Sequence, residues 1–344
     1  MTAVYVIIAI FIFGFLIFIH EGGHYLFARL FKVTVNEFAI GMGPKIISKK
    51  SKKTGIAYSL RLLPIGGFVS MAGEDEESDD ENAFCNISVW KRMIITVAGA
   101  ATNIIAGILV MSIFVATSAH LASTTVGKFT DNGEFSAATG IEVGDTITKV
   151  EGKRVYIYSQ LYYEIARKGI EPIDITVERN GETITFEDVR FPTETIKGTL
   201  FGTTGFIPYE REKTVGNIVK EAFFQSVTTI KTIWESLYDL ITGRYGIEAV
   251  SGPVGITEEL VSAARSGARN LVYLAVVISM NVGFMNLLPI PALDGGRLLF
   301  EVIEAVIGRP INRTVEGYIH LVGMILILIL MALIIFKDIA GFFR

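Results

Sequence analysis

The stretch "FIHEGGHYLF", Phe18–Phe27, sets His20, Glu21 and His24 inside a run that is otherwise apolar or glycine from Val4 to Ile19 and stays apolar from Tyr25 to Ala28. A hydrocarbon core is crossed by about 20 apolar residues in a helix, so the run reads as a membrane span with three ionisable groups on one turn. Each such group costs at least ~3 kcal/mol on insertion scales and marks function by default. Both the fold and the chemistry of the chain hang on this run.

The rest of the composition agrees with a membrane protein. The chain has 344 residues, 51% hydrophobic and 19% charged, with positive mean hydropathy, whereas soluble domains carry about a quarter charged residues. Beyond Val4–Leu30, long apolar segments occur at Met93–Ala119 and Gly323–Phe336, and a fourth, Leu271–Ile290, is interrupted by Asn281, Asn286 and Pro289. Four spans follow. The opening "MTAVYVIIAIFIF" lacks the basic region of a secretory signal, so none is expected. Arg29, Lys32, Lys45, Lys49, Lys50, Lys52 and Lys53 crowd after the first span. The positive-inside rule then puts that loop in the cytoplasm and the N-terminus outside, which leaves the long region after the second span extracytoplasmic. The single Cys85 excludes an internal disulfide and a thiolate zinc cluster. A net charge of −4, with no basic face, gives no reason to expect nucleic acid.

The spans divide the chain. A first span (1–32) leads to a glycine-rich segment (33–73) whose short β-prone runs are broken by Gly, Pro and Lys, predicting hairpin strands at the membrane face. Bare strand edges cannot face lipid, so these strands must line a protected or watery cavity. The acidic run "GEDEESDDEN" (73–82) predicts a solvated cytoplasmic linker over 74–90. A second span (91–120) precedes a small α+β domain (121–208), with "RNGE" (179–182) as a hairpin turn. Apolar residues at three- and four-residue steps over 212–243 predict an amphipathic helix on the membrane surface. A broken third span (268–300) and a fourth (316–341) complete the chain.

Residues four apart on a helix share a face, so His20 and His24 can grip one metal ion while Glu21 stands beside the open coordination position. His-Glu-x-x-His on a helix is the zinc metalloprotease signature. Catalytic zinc takes a third protein ligand, and the carboxylate embedded in another apolar segment is Asp294, in "NVGFMNLLPIPALDGGRLLF" (281–300). The prolines of "PIP" remove backbone donors, and Gly295–Gly296 are expected to loosen the chain after the aspartate.

Together these residues resemble the site-2 protease family of intramembrane zinc metalloproteases, in its bacterial branch of PDZ-containing regulators of sigma-factor control. "HEGGH" matches the family's HExxH and "NLLPIPALDGG" its N-x-x-P-x-P-x-x-D-G segment. "FAIGMGPKI" and "RLLPIGGFVSMAGE" look like its membrane-embedded hairpin, "VWKRMIITVAGAATN" like the start of its second span, and "VGDTITKVEGKRV" like a PDZ core. The resemblance implies a four-span α-helical membrane protein with a β-hairpin region and one inserted extracytoplasmic PDZ-like α+β domain. It implies Zn2+ on His20, His24 and Asp294, with Glu21 as general base and acid. Asn281 and Asn286 fall where the family holds the substrate backbone, and Gly41 and Gly43 in the strand expected to pair with an unwound substrate; helix-bonding asparagines and turn glycines are the structural alternatives. Implied substrates are transmembrane proteins such as anti-sigma factors, or remnant signal peptides, cut near the cytoplasmic face of the plasma membrane. The sequence departs from the family in having room for one PDZ domain rather than two, and in Ala100 where the second-span pattern carries proline. Two other readings stand beside this one: a catalytically silent membrane adaptor, which has no use for Glu21, and a zinc transporter, which would need polar groups at several depths.

Overall fold

The structure is a computed structural model that describes residues 2–341 apart from 75, 131–139, 197–198, 245 and 247–249. It divides into two compact units, Met1–Val110 with Thr232–Arg344, and Met111–Lys231.

In the first unit, helix α1 (Thr2–Leu30) is followed by strands β1 (Val35–Lys50) and β2 (Ala57–Met71) and by helix α2 (Val89–Ala116). Among the described residues, four helices are long and apolar enough to cross a membrane: Val6–Leu30, Val89–Ala116, Ala268–Asn286 and Arg313–Asp338. Phe11 and Phe15 on the first, and Leu326, Leu328 and Leu333 on the last, stand exposed. Apolar surface that extensive belongs against lipid. The chain is a membrane protein with a β region.

The two strands each fold back on themselves. Val35–Ile40 pairs on one side with Gly67–Met71 and on the other with Ala57–Leu60, while Lys45–Lys50 pairs with the far side of Ala57–Arg61. Gly41 and Gly43, at φ 86° and 83°, make the bend between the halves of β1, a conformation side chains resist. Arg61 donates to the Gly43 carbonyl at 2.9 Å and to Glu37 at 2.9 Å. Partial burial would raise the Glu37 carboxyl, but hydrogen bonds from Lys45, Ser59 and Arg61 outweigh it and hold the group at about 2.

The acidic segment after β2 is anchored at both ends rather than solvated throughout. Glu74 pairs with Arg297, and Ala83 and Phe84 are buried, Phe84 in one core with Ala28, Val35, Phe38 and Ile95. Charge runs give no signal for an apolar anchor that follows them.

The second unit holds β3 (Leu121–Phe129), β4 (Thr146–Val150), β5 (Lys153–Arg154), helix α3 (Tyr158–Lys168), β6 (Ile173–Arg179), β7 (Glu182–Val189), β8 (Thr193–Ile196), β9 (Thr199–Gly202), β10 (Phe206–Arg211) and the start of α4 (Val215–Ile241). An antiparallel sheet of order β10-β3-β4-β6-β7 buries Val126, Ile147, Ile175 and Val177 against Leu161 and Ile165 of α3. The β6–β7 turn places Asn180 and Gly181 at φ 52° and 85°, the left-handed pair of a tight hairpin.

On α4, Glu221 is buried, with one carboxylate oxygen lacking a hydrogen-bond partner and Arg211 4.0 Å away. Burial pushes its carboxyl up to about 7, with Arg211 and then Lys220 opposing. A carboxyl raised on folding stabilises fully below its unfolded value, near 4.5, and that contribution is lost as pH rises through 7. Glu221→Gln is therefore expected to raise the thermal midpoint of this unit by several degrees at pH 8, about 1–3 kcal/mol, and to leave it unchanged at pH 4. Equal midpoints at pH 8, read by scanning calorimetry, would contradict this.

The remaining helices return to the first unit: α5 (Pro253–Ser266), α6 (Ala268–Asn286), α7 (Asp294–Ile307) and α8 (Arg313–Gly341). The expected broken third span is thus two helices, with the break at 287–293. Ala9 and Leu16 of α1 share a core with Leu260 and Ile278. Asp338 accepts hydrogen bonds from the Gly252 and Gly255 N–H groups, both 3.0 Å, and so caps α5 from the last turns of α8.

Candidate metal centre

His20, Glu21 and His24 lie on one turn of α1. His20 is buried, and its Nε2 is 3.3 Å from the Nε2 of His24. Asp294, the first residue of α7, brings its Oδ2 to 3.1 Å from His20 Nε2 and 3.3 Å from His24 Nε2. That oxygen is buried and has no hydrogen-bond partner.

The three atoms form a triangle with edges of 3.1–3.3 Å. Ligands about 2.0–2.1 Å from a tetrahedral zinc stand about 3.3 Å apart. The tautomer agrees: His24 Nδ1 lies 2.8 Å from the Ile95 carbonyl, which can only accept, so the ring proton is on Nδ1 and Nε2 turns a lone pair to the centre. An orphaned carboxylate oxygen facing imidazole lone pairs is an arrangement a cation completes, and this donor set suits zinc.

Local sequence explains how Asp294 arrives. Helix α6 stops at Asn286, and Pro289 and Pro291 prevent its continuation. The chain then makes a four-residue turn, Leu293 N–H donating to the Ile290 carbonyl at 3.1 Å, and α7 opens on the aspartate. Gly295 and Gly296 do not loosen the chain as expected from sequence. A side chain on Gly295 would strike the carbonyls of Leu287 and Leu288, and one on Gly296 the carbonyl of Ile290. They let the preceding turn lie directly on the first turn of α7.

A strand edge runs beside Glu21. A Cβ on Gly67 would lie 3.2 Å from Glu21 Cγ and 3.3 Å from Ile17, so the backbone of Gly67–Met71 passes along the metal-facing part of α1. Gly41 and Gly43 sit at the bend of β1 instead. Asn281 is exposed on α6 and Asn286 closes that helix. Three further residues escaped the reading from sequence: Gly67, Asn103 and His320. The pair "GG" at 66–67 was the only local signal for the first. Asn103 ends the stretch "VWKRMIITVAGAATN", but nothing in spacing shows that its amide lies 3.5 Å from His20 Nδ1.

A HExxH turn within an apolar span, completed by a carboxylate from a second helix, defines a membrane metallopeptidase. Residues 8–330 match peptidase family M50. The chain is 38% identical over 335 residues to a Clostridium acetobutylicum protein whose name includes the words zinc metalloprotease, with 97% of each chain covered. It is 30% identical over 416 residues to zinc metalloprotease RasP of Geobacillus kaustophilus, covering 96% of this chain and 97% of that one. The regulator of sigma-W protease RasP of Bacillus subtilis is 30% identical over 422 residues, with 98% and 99% covered. The chain belongs to peptidase family M50, the site-2 protease family, and is a zinc metalloprotease of the intramembrane type.

Proposed function

We propose that this protease hydrolyses peptide bonds within or next to the transmembrane segments of membrane proteins, with zinc held by His20 Nε2, His24 Nε2 and Asp294 Oδ2. The observation that carries the assignment of ligands is the 3.1–3.3 Å triangle of those atoms. When bound, zinc supplies Lewis-acid polarisation of the scissile carbonyl and lowers the pKa of a water to about 7. Glu21 takes the proton of the attacking water on its carboxylate and delivers it to the leaving amine. A helical substrate hides its carbonyls, so it must first unwind. The edge Gly67–Ser70, beside Glu21, offers the unwound segment backbone partners by strand addition, with the bend at Gly41 and Gly43 shaping the sheet and Asn281 and Asn286 holding the substrate from the other side. Purified protein should carry one zinc per chain and cut a transmembrane substrate in reconstituted vesicles. Metal-free protein that cuts equally well would end this reading.

The distribution of Lys and Arg supports an extracytoplasmic N-terminus and 121–208 domain, with cleavage near the cytoplasmic face of the plasma membrane. The six-stranded antiparallel sheet among the described residues, with α3 against it, supports a single PDZ-like domain. The alignment with the Bacillus subtilis protein runs over 422 positions against 344 residues here, so that relative carries an insertion this chain lacks. A relative named for control of sigma-W supports anti-sigma factors as substrates; remnant signal peptides fit the same chemistry.

Asn103 completes the support of the imidazoles. It is fully buried, its Oδ1 has no partner, and its Nδ2 lies 3.5 Å from His20 Nδ1. A histidine that gives Nε2 to a metal carries its proton on Nδ1 and needs an acceptor there. A half-turn of the amide puts Oδ1 on that proton and satisfies the orphaned oxygen. Asn103→Leu should weaken zinc binding about 10–100-fold, while Asn103→Asp, which keeps an acceptor, should bind within a few-fold of native. A chelator competition that finds the leucine variant unchanged would remove Asn103 from this role.

A further inference from the structure

The turn that delivers Asp294 contains a conformational oddity. The Ile290–Leu293 turn is closed by the Leu293 N–H on the Ile290 carbonyl, with Pro291 and Ala292 as its central residues. Ala292 has φ 75°. Proline followed by a residue at positive φ is the type II pattern, whose third position is normally glycine or asparagine. Here it is alanine, which resists that region. The geometry of such a turn also leaves the third residue's N–H pointing outward, unused by the turn itself. Inside a membrane protein that donor must find a partner.

The partner is His320 of α8. The Ala292 N–H donates to His320 Nδ1 at 2.9 Å. One turn further along the same helix, Gly323 lies directly under Pro291; a side chain there would overlap the proline ring and come within 2.8 Å of its carbonyl oxygen. The His320 ring also rests on Phe300 of α7, centroids 5.7 Å apart. One face of the last span therefore touches both central residues of the turn and the helix that Asp294 begins.

We propose that His320 is a positioning residue for the metal site: by accepting the Ala292 N–H it holds the strained turn closed, and so holds Asp294 Oδ2 at the imidazole pair. This rests on the reading of Asp294 as the third zinc ligand. His320 is not among the residues of the candidate metal cluster, His20, His24 and Asp294. Its Nδ1 acts as an acceptor, so its ring proton is on Nε2. An asparagine, whose Oδ1 can reach the position of Nδ1, should substitute for it, and a phenylalanine, which keeps the ring contact with Phe300 but offers no acceptor, should not.

The test measures zinc affinity by chelator competition on the full chain in detergent, with cleavage of a transmembrane substrate alongside. His320→Phe is expected to lose zinc affinity about 10–100-fold, the range for partners that orient metal ligands. His320→Asn is expected to stay within about threefold of native by the same reasoning. Ala292→Gly relaxes the left-handed position, so in the Ala292→Gly background His320→Phe should recover at least about tenfold of the loss. That background also eases folding and keeps the test readable if the single variant does not fold. Rescue by asparagine and by a glycine in the turn, outside α8, separates positioning from a general packing role. If Asp294→Ala loses zinc while His320→Phe binds as native, the proposal falls and the ligand assignment stands. If Asp294→Ala itself binds as native, the ligand assignment falls and the proposal with it. If asparagine and phenylalanine lose affinity equally and glycine rescues neither, His320 acts by packing and the proposal is overturned.

Discussion

Gly99→Ala is expected to weaken zinc binding about 100-fold while leaving the helices folded. A Cβ at position 99 of α2 would overlap the His24 Nε2 and lie 2.7 Å from both Cδ2 and Cε1. The ring has little freedom to retreat, because its Nδ1 is held by the Ile95 carbonyl at 2.8 Å and it packs edge-to-face with the His20 ring, centroids 5.0 Å apart. Overfilling a packed site typically costs about 1–3 kcal/mol, and here the strain falls on an atom of the His20–His24–Asp294 triangle. Nε2 must leave the triangle, or α2 must separate from α1. Affinity is expected to drop at least ~100-fold, counting about 1.4 kcal/mol per tenfold, with cleavage lost in parallel. Circular dichroism should show native helix content. A Gly99→Ala protein that binds zinc as native would show that His24 does not sit as described.

Glu21→Gln should have the opposite profile: zinc kept, cleavage lost. Glutamine is the same size and stays on the flank of the turn beside Gly67, but it cannot take up a proton. Positioned acid–base groups contribute about 10²–10⁴ in rate, so turnover should fall by at least that much while zinc stoichiometry remains one per chain. The pair of variants separates holding the ion from moving the proton. Equal turnover of Glu21→Gln and native protein on a transmembrane substrate would take the proton-transfer role away from Glu21.

The parts of this molecule that were legible from sequence are those governed by one-dimensional rules. Four apolar runs gave four helices of spanning length, because hydropathy over about 20 residues is a local property. The i, i+4 spacing placed His20 and His24 on one face, and the prolines at 289 and 291 announced the break before Asp294. What sequence could not show is contact between distant residues. Asn103 and His320 are ordinary polar residues in apolar spans until the fold sets one against His20 and the other against the Ala292 N–H. Gly295 and Gly296 were read as loosening because glycine frees the backbone; their use here is close approach, visible only once the preceding turn lies on α7. The folded-back pairing of β1 and β2 escaped for the same reason, since a hairpin and a doubled hairpin share one alternation of residues.

The clasp of Asp338 on α5 has a consequence for how the chain is made. Synthesis runs from the N-terminus, and earlier segments fold first. The N–H groups of Gly252 and Gly255 acquire their acceptor only after Asp338 of α8, 86 and 83 residues later in the chain, has been synthesised. The same delay applies to the imidazole pair, which emerges long before its carboxylate companion. Until residue 294 has been made, the two imidazoles of α1 lack the carboxylate that stands beside them in the folded chain.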